Sequence, residues 1–124
     1  MGAEIPLYRQ IHPKWIQDGM ITSEAFRPFD GDLLSLYNGE MINAEDSFKH
    51  YTEECGNVSC GVAEVAESVF VKNGLDVIKD GDPFPEHVSV DYSPFKSDSS
   101  RKRVSQKIKK ESRLVYSIYE SGFV

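Results

Sequence analysis

The stretch Leu7–Tyr37, LYRQIHPKWIQDGMITSEAFRPFDGDLLSLY, decides how the chain is read. At its two ends lie short segments, Ile5–Ile11 and Leu33–Tyr37, with the β-branched, aromatic and leucine content of strands. Pro13 closes the first, because proline holds the preceding His12 in extended geometry. Between them, Lys14–Asp18 fits a helical turn before Gly19. Thr22-Ser23-Glu24-Ala25 fits another, closed by Pro28, and Asp30-Gly31-Asp32 is a turn signal. Asn38-Gly39 ends the second strand.

Outward from this stretch, the clearest helix spans Ala44–Cys55. Asn43 is a good N-cap, and Glu45 and Asp46 place negative charge in the first turn, where the helix dipole favours it. Ala44, Phe48, Tyr51 and Cys55 fall on one stripe, and Gly56 suits a left-handed ending. Val58–Val71 reads as a short strand running into a helix that stops at Asn73-Gly74. Leu75–Ile78 is a short strand, and the cluster DGDPFP is a turn. Glu86–Tyr92 alternates, with Val88, Val90 and Tyr92 opposite His87, Ser89 and Asp91. A polar stretch, Ser93–Ser100, leads to a final basic helix over about 101–120, on which Val104, Ile108, Leu114, Val115, Ile118 and Tyr119 share one side. The expected fold is α+β, a mostly antiparallel sheet with about three helices packed on it. The 124 residues fit a single domain.

Charge is distributed unevenly. Residues 1–95 carry six basic and seventeen acidic side chains, about −11, whereas residues 96–124 carry eight basic and three acidic, about +5. Two positions break local rules. Arg101-Lys102-Arg103 would place three cations at a helix start, each unfavourable by roughly 0.3–1 kcal/mol. An anion should offset them (the acidic body of the same chain, an acidic partner protein, or nucleic-acid phosphate), and the blander reading is solvated charges screened by salt in a mobile linker. Glu111 falls within the apolar stripe of the same helix, where it would need a partner such as Arg9 or His87, or a raised pKa; the blander reading is that the helix's first half frays and leaves Glu111 at the rim.

Several function classes lack their signatures. No apolar run is long enough to span a bilayer, and the first residues lack the pattern of a secretory signal, so the expectation is a cytoplasmic protein without a membrane partner. Met1-Gly2 hints at myristoylation, but Pro6 stands where Ser or Thr is wanted. There is no G-x-S-x-G, H-E-x-x-H, phosphate loop or paired C-x-x-C. Cys55 and Cys60 read as two free thiols, because His50-x4-Cys55-x4-Cys60 does not follow zinc-ligand spacing; no metal or cofactor is expected.

The candidate catalytic residues are Arg9, His12, Arg27 and His87, with Thr22, Ser23, Ser35 and Asp91 as lesser ones. Arg9 and Arg27 bracket the central stretch and could hold one carboxylate or phosphate. His87 sits on the polar face of its strand; Asp91, four residues along, is about 13 Å away and out of reach. The blander readings are a turn role for His12, salt bridges for the two arginines, and a surface or network role for His87. Trp15 either lids the core or anchors a partner, and Arg101, Lys102 and Arg103 are candidate binding residues.

The segments YRQIHP, DGMITSEAFRPFDGDLLSLY and EHVSVDYS resemble small bacterial proteins of similar length. The resemblance implies a bacterial, single-domain protein and no particular chemistry. The leading expectation is a small protein-interaction module, such as an immunity, antitoxin-like or accessory subunit, docking by charge complementarity. The alternatives are a small enzyme or anion-ligand-binding domain using Arg9, Arg27 and His87, and a nucleic-acid-associated protein using the final helix.

Overall fold

A computed structural model describes residues 4–119. Strand β1 (Pro6–Ile11) is followed by a 3-10 turn at Pro13–Trp15 and a hairpin of β2 (Ile16–Gln17) and β3 (Met20–Ile21). A second 3-10 turn, Ser23–Phe26, leads to β4 (Leu33–Asn38). Helix α1 (Ala44–Lys49) passes directly into a π-helical segment, His50–Glu54. Then come β5 (Gly61–Ala66), α2 (Glu67–Lys72), β6 (Asp76–Ile78), β7 (His87–Asp91), α3 (Asp98–Lys110) and β8 (Arg113–Ser117). Six strands form one antiparallel sheet in the order β6-β7-β4-β1-β5-β8, and the hairpin is separate. The fold is α+β.

Both faces of the sheet are covered. On one, Leu7, Ile11, Leu34, Leu36, Ala63, Val65, Val88 and Val90 pack with Phe26, Phe70, Val104 and Ile108 into the main core. Tyr92 is fully buried in it and donates its hydroxyl to the Phe26 carbonyl, tying the second 3-10 turn to the end of β7. On the other face, Tyr8, Tyr37 and Val62 pack against Phe48, Tyr51, Phe84 and Tyr116. Period-2 alternation in β1 and β4 therefore serves two cores, one per face. Gly39 lets β4 turn beside β1: a Cβ there would stand 2.5 Å from the Pro6 carbonyl oxygen.

Three expected elements differ. The Lys14–Asp18 turn ends at Trp15, and Ile16–Gln17 pairs with Met20–Ile21 around Asp18-Gly19, both at positive φ. Asp-Gly is a strong two-residue hairpin signal, and it wins here over helix formation. The helix expected over Ala44–Cys55 widens after Lys49, where Cys55 N–H bonds to the His50 carbonyl at 3.0 Å. The Thr52 hydroxyl donates to the Phe48 carbonyl at 2.8 Å, a back-bond that loosens the i→i−4 ladder.

The third concerns the final helix, which runs from Asp98 to Lys110 rather than over 101–120. Ser97 caps it, accepting from Ser100 N–H at 3.1 Å, and Asp98 sits in the first turn. Arg101-Lys102-Arg103 thus lie beyond the helix start, and Lys107, Lys109 and Lys110 occupy the last turn, where the dipole favours cations. After Glu111, the β-branched and aromatic run Leu114–Tyr116 completes the sheet edge on β5. Glu111 is exposed and pairs with Lys72 at 2.8 Å, not with Arg9 or His87. No helix among the described residues is long and apolar enough to cross a membrane.

Candidate functional site

Helix α1 lies over β5, β1 and β8. Toward β4 and β7, beyond the short β1–β4 ladder, lies a cleft of about 530 Å³. Its lining draws on both sides of the sheet, Leu34 and Leu36 from the main core and Tyr37, Tyr51 and Phe84 from the α1 side. Leu33–Tyr37 of β4 and Arg9 of β1 line it. The π segment and the residues after it contribute Tyr51, Cys55 and Asn57, and the loop before β7 contributes Pro83 and Phe84. Phe29 stands 83 % exposed at its edge. A concave, mainly apolar site with a few polar groups suits a small ligand.

Arg9 is the most unusual residue in this site. The ladder between β1 and β4 holds at Leu7↔Asn38 and Tyr8↔Tyr37. Beyond it, the Arg9 side chain substitutes for the missing strand contacts, with Nε donating to the Ala25 carbonyl at 2.6 Å and Nη1 to the Ser35 carbonyl at 2.9 Å. The guanidinium carbon lies 4.9 Å from the Trp15 ring centroid. Arg9 is only 9 % exposed, yet among the described residues it forms no ion pair with a carboxylate. Burial pulls its pKa down from 12.5 to about 10, and nearby Tyr51 and Tyr92 partly offset this. The group is still a cation at neutral pH, desolvated and without a counter-ion among the described residues.

His87 lines the same cleft, and a carboxylate orients it. That carboxylate belongs to Asp80, across the DGDPFP turn, with Oδ1 2.8 Å from His87 Nδ1. Ser89 donates to the other Asp80 oxygen at 2.7 Å. Burial raises the Asp80 pKa, but the hydrogen bonds from His87 and Ser89 outweigh it and hold the carboxyl below its usual range. With Nδ1–H donated to Asp80, His87 Nε2 is left to accept a proton, the arrangement of an oriented base.

The π segment supplies a second imidazole. Tyr37 Oη lies 2.7 Å from His50 Nδ1, and Cys55 Sγ lies 3.7 Å from the same nitrogen. Burial first, then the neighbouring Cys55 thiol, raise the Tyr37 pKa, so the phenol stays protonated. Phe84 joins the two histidines: it stacks on Tyr37 at 5.0 Å and meets His50 and His87 edge-on at 4.5 and 5.3 Å.

The remaining candidates lie elsewhere. His12 caps the first 3-10 turn, its Nδ1 accepting from Lys14 N–H at 3.1 Å. Arg27 ends the second 3-10 turn and does not line the cleft, so it does not join Arg9 and His87 around one anion. Trp15 is half-buried, packing on the main core and under Arg9. Arg101 is held by its own chain, donating to the Phe95 and Gly31 carbonyls and pairing with Asp32. Lys102 and Arg103 are exposed.

Asp80, Tyr37, His50 and Cys55 escape a reading of the sequence for function. The visible signals are a carboxylate at the far side of a tight turn from a histidine, and a His-x4-Cys spacing that only a π turn brings together. Among the described residues no three His, Cys, Asp or Glu side chains are grouped so as to hold a metal ion. No protein-family model, curated protein or solved structure matches the chain.

Proposed function

We propose that this protein binds a small anion with an apolar or aromatic body in the cleft over β4, with Arg9 as the counter-ion. The observation that carries this reading is a nine-tenths-buried guanidinium, without a carboxylate partner, on the lining of a ligand-sized cleft. Leaving such a charge uncompensated costs the fold several kcal/mol, and a bound carboxylate or phosphate recovers it. Phe29, Phe84 and Tyr51 suit the ligand's apolar part, and His87 is placed to exchange a proton with it.

The chain has one tryptophan, and it stacks on Arg9. Trp15 fluorescence therefore reports the site through Arg9. Titration with benzoate should give a saturable change that neutral benzyl alcohol does not reproduce. An equal response to both, or none to either up to millimolar concentration, would refute the reading.

A second reading, docking to an acidic protein, is favoured by α3. Lys102, Arg103, Lys107, Lys109 and Lys110 form no ion pair with a carboxylate among the described residues, although Arg101 is neutralised within the chain. A 1:1 complex with a protein from the native host, weakened by salt and lost on charge reversal at Lys102 and Arg103, would support it. A complex unaffected by both would count against it.

A further inference from the structure

The cleft holds a potential nucleophile that the anion-binding reading does not use. Cys55 is a free thiol, exposed, and part of the cleft lining. Its sulfur lies 3.7 Å from His50 Nδ1, a nitrogen that also meets Tyr37 Oη at 2.7 Å. The backbone holds this pairing in place. In the π turn, Cys55 N–H bonds to the His50 carbonyl at 3.0 Å, so residues five apart stack along the helix axis. An α-helical path would rotate Cys55 away from His50, because residues five apart do not share a face at 3.6 residues per turn. The second cysteine, Cys60, is buried in the main core and has no imidazole beside it.

We propose that Cys55 is a nucleophile with His50 as its general base, and that it accepts acyl groups from small activated esters whose distal carboxylate is held by Arg9. The substrate class rests on the anion-binding reading; the nucleophile does not. In the first step the Cys55 sulfur bonds to the ester carbonyl carbon while its proton passes to His50, directly or through the Tyr37 hydroxyl. The carbon–oxygen bond to the leaving group then breaks, and the departing oxygen takes that proton from His50. Water next adds to the thioester carbonyl and gives a proton to His50. The carbon–sulfur bond breaks, the sulfur recovers the proton, and a dicarboxylic acid is released.

Tyr37 is a positioning residue in this scheme. Its hydroxyl holds Nδ1 toward the sulfur, and Phe84 stacked on its ring fixes the phenol. His87 and Asp80 lie on the same cleft but are not required for the first step.

The test uses the full chain with mono-p-nitrophenyl terephthalate, whose rigid para-carboxylate cannot reach its own ester, and with neutral p-nitrophenyl benzoate for comparison. Wild type should release a stoichiometric burst of nitrophenolate and carry a 4-carboxybenzoyl thioester on the Cys55 peptide by mass spectrometry. Cys55→Ala should show no burst, and His50→Gln should slow the burst by about 100-fold. Both positions are at least partly exposed, and circular dichroism checks that the variants are folded. The terephthalate should react at least ~10-fold faster than the benzoate, an increment of only one good charge contact.

A burst that survives Cys55→Ala, or an acyl group found on Cys60 or on lysines, overturns the nucleophile. An unaltered burst in folded His50→Gln overturns the base. Equal rates for the two esters overturn the substrate class. If benzoate still titrates Trp15 while no burst occurs, the nucleophile falls and the anion site stands. A burst without any Trp15 response leaves the nucleophile and removes its carboxylate-bearing substrate.

Discussion

Replacing Arg9 with methionine separates a cation kept for a ligand from one kept for the fold. Methionine keeps an unbranched, adaptable stem and removes the charge. In the unliganded protein, effects of opposite sign meet. The two hydrogen bonds to Ala25 and Ser35, at 2.6 and 2.9 Å, contribute ~1.5–3 kcal/mol each when the donor is charged. The Trp15 contact adds about 1 kcal/mol. Against them stands a charge buried without a counter-ion. A pKa near 10 in place of 12.5 corresponds to roughly 3 kcal/mol against the charged form. Arg9→Met should therefore be destabilised by only ~1–4 kcal/mol.

The liganded protein should behave differently. An anion at about 100 times its Kd adds ~2.7 kcal/mol to a protein that binds it only when folded. For a domain of this size that raises Tm by roughly 10 °C. Thermal unfolding followed by circular dichroism, with and without benzoate, measures both effects. Wild type should show the increase and Arg9→Met should not. Two results would refute the reasoning: an equal benzoate shift in both proteins, or an Arg9→Met chain too unstable to fold, which would make Arg9 a structural support only.

Asp80 contributes to the acid limb of stability. Its folded pKa lies below the usual 3.8, so its contribution is present above that value and is lost as pH falls through the lower folded one. Asp80→Asn should be less stable than wild type at neutral pH and lose less on acidification to about pH 3, as urea unfolding at the two pH values would show. At Gly39 an added Cβ meets backbone oxygen at 2.5 Å, so Gly39→Ala should cost ~1–3 kcal/mol, read from the same urea curves. The Lys72–Glu111 pair is exposed on both sides, and Glu111→Gln should change stability by less than about 1 kcal/mol.

How far the sequence revealed this fold depended on how local each signal was. β1, β4 and β7 were legible because short segments of strand-forming residues are bounded by Pro13, by Asn38-Gly39 and by the DGDPFP turn that precedes β7. The strand-into-helix order read over Val58–Val71 held, but the strand lies at Gly61–Ala66, within the run whose valines also recur at helical spacing. Val62 and Val65 face opposite cores there, and Val69 and Phe70 lie on the helix. Arg113–Ser117 was not legible as a strand: Leu114 and Val115 also fit a helical stripe, and only the free edge of β5 decides between them. Because the helix starts at Asp98, the cations at 101–103 lie past its first three residues, and because it ends at Lys110, Glu111 moves from an apolar stripe to an exposed cap.

The site was legible only as separate residues. Arg9 and His87 stood out because a cation and an imidazole within strands are conspicuous. Their partners were hidden. The Ala25 and Ser35 carbonyls that hold Arg9 lie 16 and 26 residues away, and Asp80 reaches His87 only because the intervening turn folds back. Arg27 looked equivalent to Arg9, yet the 3-10 turn that precedes it leaves it off the cleft. The pairing of His50 with Cys55 needs a π turn, which no periodicity of apolar residues announces.

The most direct test of the central claim is a side-chain NMR titration following the Arg9 Nε–H resonance, whose hydrogen bond to the Ala25 carbonyl should keep it visible, as benzoate is added. Saturable shifts centred on Arg9 and spreading to Trp15, Tyr37, Tyr51 and His87 are the predicted result. An unmoved Arg9 signal, with shifts confined to the lysines of α3, would contradict it.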